Sequence, residues 1–423
     1  MNSLLLVGLN HRLAPVEIRE KLAFSPERIT SALHQIVARL PQQDPQAAIL
    51  STCNRSEVYI WTAEARLAAK QVVSFLAGHA GCDLEEITPK FYIQEDEAAA
   101  RHLMSVAAGL DSLVAGEDEI LGQVKDAYQI AQSAGTCGST LSALFRYAIH
   151  AGKRARSETE IGCLRRSVAT VVVALAKETF PTLPNRTALL IGAGKISALT
   201  ARALVQAGLR FILVANRTFE RAQKLAQSVG GQAVRFDALS ESLVQADIVI
   251  CSTGAPHVVL HYDTIQQAMY KRPERPLLII DLAVPRDADP AIVGLPQVTL
   301  ADIDDLEKLV QRDFPLAIST RQCIEGIISE ELAHFSEWLS LRRNAELIQQ
   351  IQKHAQSICE AQIRKTLRRA SDFSEEQKQA IETLAHAITS QLLHKPIEWI
   401  KSPHDGLSEE EVESLVRNFY GLN

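Results

Sequence analysis

Residues 49–61 read ILSTCNRSEVYIW and place a thiol after two hydroxyl residues, with an arginine two positions on. The thiolate is the attacking form of a cysteine, and a neighbouring cation lowers the thiol pKa. Cys53 is therefore a candidate nucleophile, and Arg55 a group that favours its thiolate or binds an anionic substrate. Two other readings fit the same residues: a small packed hydrophobe, and a ligand contact without covalent chemistry.

A second polar group lies in DEAAARHLMSVAAGLDSLVAGEDEILGQVKDAY. His102 starts a helical pattern, either as a satisfied core histidine or as a cleft acid/base. Ser112, Glu117 and Gln123 add donors and acceptors beside Gly109 and Gly116, in a stretch too polar for a plain core helix.

A third group is a phosphate cradle. In LLIGAGKIS an apolar strand runs into a G-x-G turn and then a helix, so the backbone can approach a pyrophosphate that the helix-terminal amides receive. Gly192 and Gly194 hold the first two glycine positions, and Ser197 stands at the third. The next strand ends in VANRT. Arg217 stands where an NAD-specific site commonly has an acid, so the pattern predicts NADP, with Asn216 and Thr218 as polar companions. The bland alternative is a helix-packing turn. CSTGAP and DLAVPRD follow later apolar strands at the ligand-bearing end of such a sheet. Cys251 there is read as a buried thiol or a nicotinamide neighbour. Asp281 and Arg286 either bound an interdomain cleft or are ordinary strand-end polar residues.

Three segments position these groups. Residues 1–160 read as mixed α/β: SLLLVGLN as a strand, PERITSALHQIVARL as a helix with Pro26 in its first turn, a strand–turn–strand around Cys53, then mainly helix from 96 onward. Residues 161–310 repeat strand and helix with near-continuous apolar strands, which predicts a Rossmann-type parallel sheet covered on both faces. Residues 311–423 have no proline between Pro315 and Pro396, and one glycine, Gly326, in that interval. Long amphipathic helices with apolar faces for self-association follow, or a tail folded on its own chain.

Length and composition agree with a multidomain globular chain: 423 residues, 47% hydrophobic, 22% charged, with mean hydropathy zero. The formal net charge of −6 argues against general coating of nucleic acid and leaves a local basic groove open. Seven cysteines, odd in number and without a CxxC pair, fit a reduced cytoplasmic setting, and the twelve histidines form no HExxH set, so no metal is expected. No apolar run reaches membrane-spanning length, and the amino terminus lacks the features of a secretory signal.

GLNHRLAPVEIREK, STCNRSEVYIW, HLMSVAAGLDSLVAGEDEILGQVKDAY, LLIGAGKISALTARAL, VANRTFERAQKLA and IIDLAVPRDADP together resemble glutamyl-tRNA reductase. The resemblance covers essentially the whole chain. It implies a catalytic substrate-binding domain, an NADPH domain and a helical dimerisation domain in a homodimer. The implied reaction reduces glutamyl-tRNA(Glu) with NADPH to glutamate 1-semialdehyde through a cysteine thioester, the first step of tetrapyrrole synthesis from glutamate. A semialdehyde aminomutase is the implied downstream partner. Cys53 matches the family nucleophile, His102 a histidine important for activity, and Thr52, Asn54 and Arg55 the substrate-binding neighbours. Ser112, Glu117 and Gln123 match further substrate contacts. Gly192, Ala193, Gly194, Lys195, Ile196 and Ser197 match the NADP loop.

This chain departs from the pattern at several positions. Asp118 and Glu119, within the implied substrate-binding set, stand where an uncharged pair is common. Leu13 replaces a common threonine, and Arg165 and Arg166 occupy a stretch usually richer in small residues. For tRNA phosphates the basic segments HAGKRAR and IRKTLRR are candidates, as are plain solvated helix faces. Competing functions are an NADP-dependent reductase of a small free carbonyl compound, and a silent RNA- or protein-binding scaffold.

Overall fold

The computed structural model describes residues 2–24, 26–40, 45–112, 118–162, 168–313, 316–369, 373–402, 407 and 409–422. They form two compact units, Met1–Leu332 and Ala333–Asn423. The first unit carries two sheets.

The first sheet begins with β1 (Ser3–Asn10), followed by the helices α1 (Val16–Arg19) and α2 (Pro26–Val37) and the strands β2 (Gln46–Ser51) and β3 (Arg55–Thr62). The chain continues through α3 (Ala65–Ala80), α4 (Leu84–Ile87), β4 (Tyr92–Glu95) and α5 (Asp96–Ala108) to α6 (Asp118–Ser133) and α7 (Ser139–Glu158). The strands pair antiparallel in the order β2-β3-β1-β4. Every residue of β3 is buried, so both faces are covered, and the polar residues it carries must find partners inside the protein.

One row across this sheet shapes the interior. Gly8 of β1 lies directly opposite Glu57 of β3 on one side and Tyr92 of β4 on the other. Side chains directly opposite one another share a face. A Cβ at Gly8 would stand 2.8 Å from Glu57 Cγ and 3.1 Å from the Tyr92 ring. The missing side chain is the space in which the carboxylate and the phenol meet across the intervening strand.

The second sheet is parallel, in the order β10-β9-β8-β5-β6-β7. After α8 (Val168–Thr179) come β5 (Thr187–Ile191), α9 (Lys195–Gln206), β6 (Phe211–Ala215), α10 (Phe219–Val229) and β7 (Gln232–Val234). The other half contains α11 (Leu239–Gln245), β8 (Ile248–Cys251), α12 (Tyr262–Tyr270), β9 (Leu277–Asp281), β10 (Val298–Ala301) and α13 (Ile303–Asp313). Apolar clusters fill both faces, as the continuous apolar strands require. The order reverses at β5, the switch point where such sheets bind ligands, and the G-x-G turn follows that strand.

Helix α14 (Ile318–Arg369) runs from the first unit into the second, which also contains α15 (Glu375–Lys401) and α16 (Glu409–Tyr420). Ser374 and Gln377 close a capping box at the start of α15. Pro396 lies inside α15 near its end, where the ring removes one donor and the helix continues to Lys401. Leu384, Ile388 and Leu392 are 61%, 49% and 70% exposed, and their spacing of four puts them on one helix face. Among the described residues no helix is long and apolar enough to cross a membrane.

Gly8→Ala should destabilise the first unit by about 1–3 kcal/mol, the usual cost of overpacking, because the new methyl separates Glu57 from Tyr92. Denaturant unfolding of the variant against the parent measures it; equal stability would show that the row has room to spare.

Candidate active site

Cys53 sits in the turn between β2 and β3. The turn closes by a bond from Thr52 N to Arg55 O at 2.8 Å. Inside it, Thr52 Oγ1 accepts from the amides of Asn54 and Arg55 at 3.1 and 3.2 Å. The threonine thus works as the turn's internal brace. Outside it, His11 N donates to Asn54 O at 2.9 Å. Arg19, at the end of α1 and 2% exposed, donates to Cys53 O at 2.7 Å and to Asn54 Oδ1 at 3.3 Å. Its other terminal nitrogen is paired with Asp304 of α13. One buried guanidinium therefore ties the thiol turn to the parallel-sheet domain. Arg286 adds a second tie, pairing with Glu17 at 2.8 Å and Glu20 at 3.1 Å.

Cys53 itself is half-buried and packs against the core cluster of the parallel sheet, among residues that include Ile196 and Val284. The thiol stands on the antiparallel domain and faces the other one. Cys251, in contrast, is fully buried, and burial, followed by the charges of Asp281 and Asp287, pushes its thiol well above the ordinary value. The buried-thiol reading describes Cys251.

Glu57 is the centre of the polar interior. It is 0% exposed, and its Oε1 accepts from Arg55 Nη1 at 2.7 Å, from His102 Nε2 at 2.8 Å and from the Tyr92 hydroxyl. Its Oε2 accepts from the Tyr59 hydroxyl at 2.6 Å. Burial alone would raise its pKa, but the charges of His102 and Arg55 and the hydrogen bonds to it outweigh burial and hold the carboxyl well below the usual range. Burial and the Glu57 charge push the Tyr59 and Tyr92 phenols upward, so both remain donors. With Glu57 ionised, His102 Nε2 carries the proton of that bond.

Arg55 is 1% exposed. Burial would lower its pKa, but Glu57 and Asp111 raise it above the ordinary value. Its Nη1 reaches Glu57 and Asp111 Oδ2, the latter at 3.0 Å, and its Nη2 is bonded to the Asp111 carbonyl. Asp111 Oδ1 pairs in turn with Arg12 at 2.9 Å. The Ser112 hydroxyl is buried with no hydrogen-bond partner among the described residues. Gln123 is half-buried on α6. Glu117 and the Asp118 side chain lie outside the described residues. Glu119 stands 3.5 Å from Lys195 Nζ, so this unusual acid is paired with the base of the G-x-G turn. His102, Arg12 and Asp111 also line a cleft of about 480 Å³ between α5 and the start of α14.

The turn after β5 fits a dinucleotide. Gly192 has φ +107°, and a Cβ there would stand 2.6 Å from Ser252 O, so only glycine allows this approach. Gly194 caps α9 without a side-chain hydrogen bond, and a Cβ there would meet nothing within 4 Å. Space and helix-terminal amides are thus both open to a pyrophosphate. Ala193 and Ile196 are half-buried beside them. Ser197 is fully buried and bonds Ser252 at 2.5 Å. The third-glycine substitution thereby makes a polar tie between helix and sheet. After β6, Asn216 Nδ2 donates to Thr218 O at 2.9 Å, and Arg217 is exposed, with a 2′-phosphate within its chemistry.

Sequence reasoning missed Glu57, Asp111, Arg19 and Arg12. For Glu57 there was a signal: an acid in SEVYIWT, a strand whose two faces are both apolar enough to be buried. The other three act through contacts between distant segments, which no local pattern carries.

Glu57→Gln removes the anion beside a buried guanidinium, and breaking one side of such a pair costs about 3–5 kcal/mol. Because the folded-state pKa lies below the ordinary 4.5, the contribution is present above pH 4.5 and is lost as pH falls through the folded value. Denaturant titrations between pH 7 and 3 should show a parent more stable at neutrality, with a steeper acid loss than the variant.

Comparison with known proteins finds a match for each of three successive segments. Residues 7–159 match the N-terminal domain of glutamyl-tRNA(Glu) reductase, 174–309 match shikimate/quinate 5-dehydrogenase, and 324–422 match the dimerisation domain of glutamyl-tRNA(Glu) reductase. A glutamyl-tRNA reductase of Moorella thermoacetica is 41% identical over 96% of this chain and 93% of its own length. One of Carboxydothermus hydrogenoformans is 40% identical over 97% and 92%. Among solved structures, glutamyl-tRNA reductase from Methanopyrus kandleri aligns with a TM-score of 0.53 at 33% identity, covering 99% of both chains. With both of its own family domains matched and relatives above 30% identity along nearly the full length, the chain belongs to the glutamyl-tRNA reductase family.

Proposed function

We propose that the protein reduces glutamyl-tRNA(Glu) to glutamate 1-semialdehyde with NADPH, by way of a thioester on Cys53. The observation that carries the reading is the placement of the thiol: it is presented by one domain and packed against the core of the nucleotide-type domain. A thiol in that position is both nucleophile and leaving group. Its sulfur bonds to the acyl carbon, the bond from that carbon to the ribose oxygen breaks, and the tRNA departs as the alcohol. NADPH, when bound, supplies the hydride that takes the acyl carbon to the aldehyde level. Cys53 leaves as thiolate as the aldehyde forms.

The remaining residues hold and orient. Arg19, Thr52 and Asn54 fix the turn, and so the direction of the sulfur. His102, anchored through Nε2, assists the proton transfer to the ribose oxygen. Arg55 belongs to the substrate-binding set with its guanidinium held by Glu57 and Asp111, and Ser112 contributes a hydroxyl without a partner among the described residues. Glu117, Asp118, Glu119 and Gln123 complete the substrate-binding set, and Gly192, Ala193, Gly194, Lys195, Ile196 and Ser197 hold the pyrophosphate. Asn216, Arg217 and Thr218 select NADPH.

The division at residues 160 and 310 assigns catalysis, cofactor and dimerisation to successive segments. The stripe of Leu384, Ile388 and Leu392 gives the last of them an apolar face suited to a second copy of the chain. The product is an α-amino aldehyde, so a downstream semialdehyde aminomutase consumes it, in a cytoplasm that keeps Cys53 reduced.

Incubation with glutamyl-tRNA and no NADPH should leave a glutamyl adduct on Cys53 by intact mass, and addition of NADPH should release semialdehyde. Cys53→Ser should lose both. Semialdehyde formation by that variant at the parental rate would reject the nucleophile, and turnover of free glutamate would reject the tRNA requirement.

Affinity for NADPH should exceed that for NADH by tenfold or more, on the order of one charge-assisted contact. Arg217→Ala should close that gap; titrations of both cofactors against both proteins decide it.

A further inference from the structure

We propose that the cleft between α5 and the start of α14 is the second half of the substrate site and binds the phosphate-bearing 3′-terminal nucleotide of the charged tRNA. The inference rests on the reading of the substrate given above. It adds a location and a set of cations, Arg12, Arg101 and Arg321.

The cleft lies where the leaving group must go. Arg12 forms part of its wall, and Arg12 follows His11, whose amide is bonded to Asn54 beside the thiol. His102 forms another part. The nucleotide ester-linked to a glutamyl group at Cys53 thus has this opening next to it. A volume of about 480 Å³ is within the range that encloses a drug-sized ligand, more than a glutamyl group alone occupies.

Its charge is also right. Three arginines and two acids, Asp111 and Glu325, line it, so the wall is net positive in a chain whose formal charge is −6. Asp111 is further neutralised from behind by Arg55. Arg321 is exposed, and its side chain has no ion pair or hydrogen bond among the described residues. Arg101 is half committed, to Glu97 at 3.2 Å and to the Ser329 hydroxyl at 3.3 Å. Leu110 and Ile328 give the same cleft an apolar surface on which a base or ribose can lie.

In the basic segment HAGKRAR the two arginines are committed elsewhere, which leaves the exposed Lys153 as its one cation not held by such bonds among the described residues. Arg154 is bound to Glu158, Glu330 and Glu331, and Arg156 to the carbonyls of Ala107 and Gly152. Those guanidinium groups fasten α7 to its neighbours.

The test uses the full chain and Arg321→Gln, a change at an exposed position whose side chain has no partner among the described residues, with Arg321→Lys as the charge-keeping control. Arg321→Gln should raise KM for glutamyl-tRNA about tenfold, the loss of one charged hydrogen bond. It should also flatten the slope of log(kcat/KM) against log[salt] by about 0.7, one single-stranded phosphate contact. Arg321→Lys should keep the slope. Adenosine 5′-monophosphate should inhibit the parent more strongly than adenosine does, and Arg321→Gln should erase that preference. An unchanged slope in Arg321→Gln, or equal inhibition of the parent by the two compounds, would overturn the cleft assignment while leaving the reaction intact. Failure of the parent to turn over glutamyl-tRNA would overturn the underlying reading and this assignment with it.

Discussion

The carboxylate of Glu57 is the constraint around which the first domain is organised. A charge with no solvent exposure survives only when paired and fully hydrogen-bonded. Here an arginine, a histidine and two tyrosines meet that demand. The four partners come from three places: Arg55 and Tyr59 from the strand of Glu57 itself, Tyr92 from the edge strand β4, and His102 from α5. Satisfying one anion therefore fixes strand register, helix position and the histidine tautomer together. The absent side chain of Gly8 gives the row its space.

From that centre the charges alternate outward. Glu57 holds Arg55, Arg55 holds Asp111, and Asp111 holds Arg12 at the cleft. A group arriving at the cleft meets a network whose buried end cannot shift without leaving an uncompensated ion in the core. This stiffness is what the proposed acyl transfer to Cys53 would require, since small displacements of reacting groups are costly in rate. The cofactor turn obtains the same stiffness from backbone geometry, through Gly192 against Ser252 and the hydroxyl tie of Ser197.

Much of this was legible in the chain itself. Continuous apolar strands alternating with helices gave the parallel sheet, and the proline-free tail gave the long helices. The short strands β4, β7 and β10 escaped because three or four partly exposed residues carry no reliable period. Cys53, His102 and the G-x-G turn stood out by residue type and local context. Asp111 sat unnoticed beside Ser112 because its significance comes from Arg55, 56 positions away. Arg19 was invisible for the same reason at greater range, since its partner is Asp304.

The bond from Arg19 to Asp304 bears on how separable the two sheets are. Cut from the rest of the chain, the antiparallel half would keep a guanidinium already folded around the Cys53 carbonyl and now without its anion. It would also expose the apolar contacts that half-bury the thiol. The sheet that holds the nucleotide is thus not an interchangeable module appended to a self-sufficient chemical domain. A foreign dinucleotide fold grafted in its place would have to bring an acid to the same point before the sulfur could hold its aim.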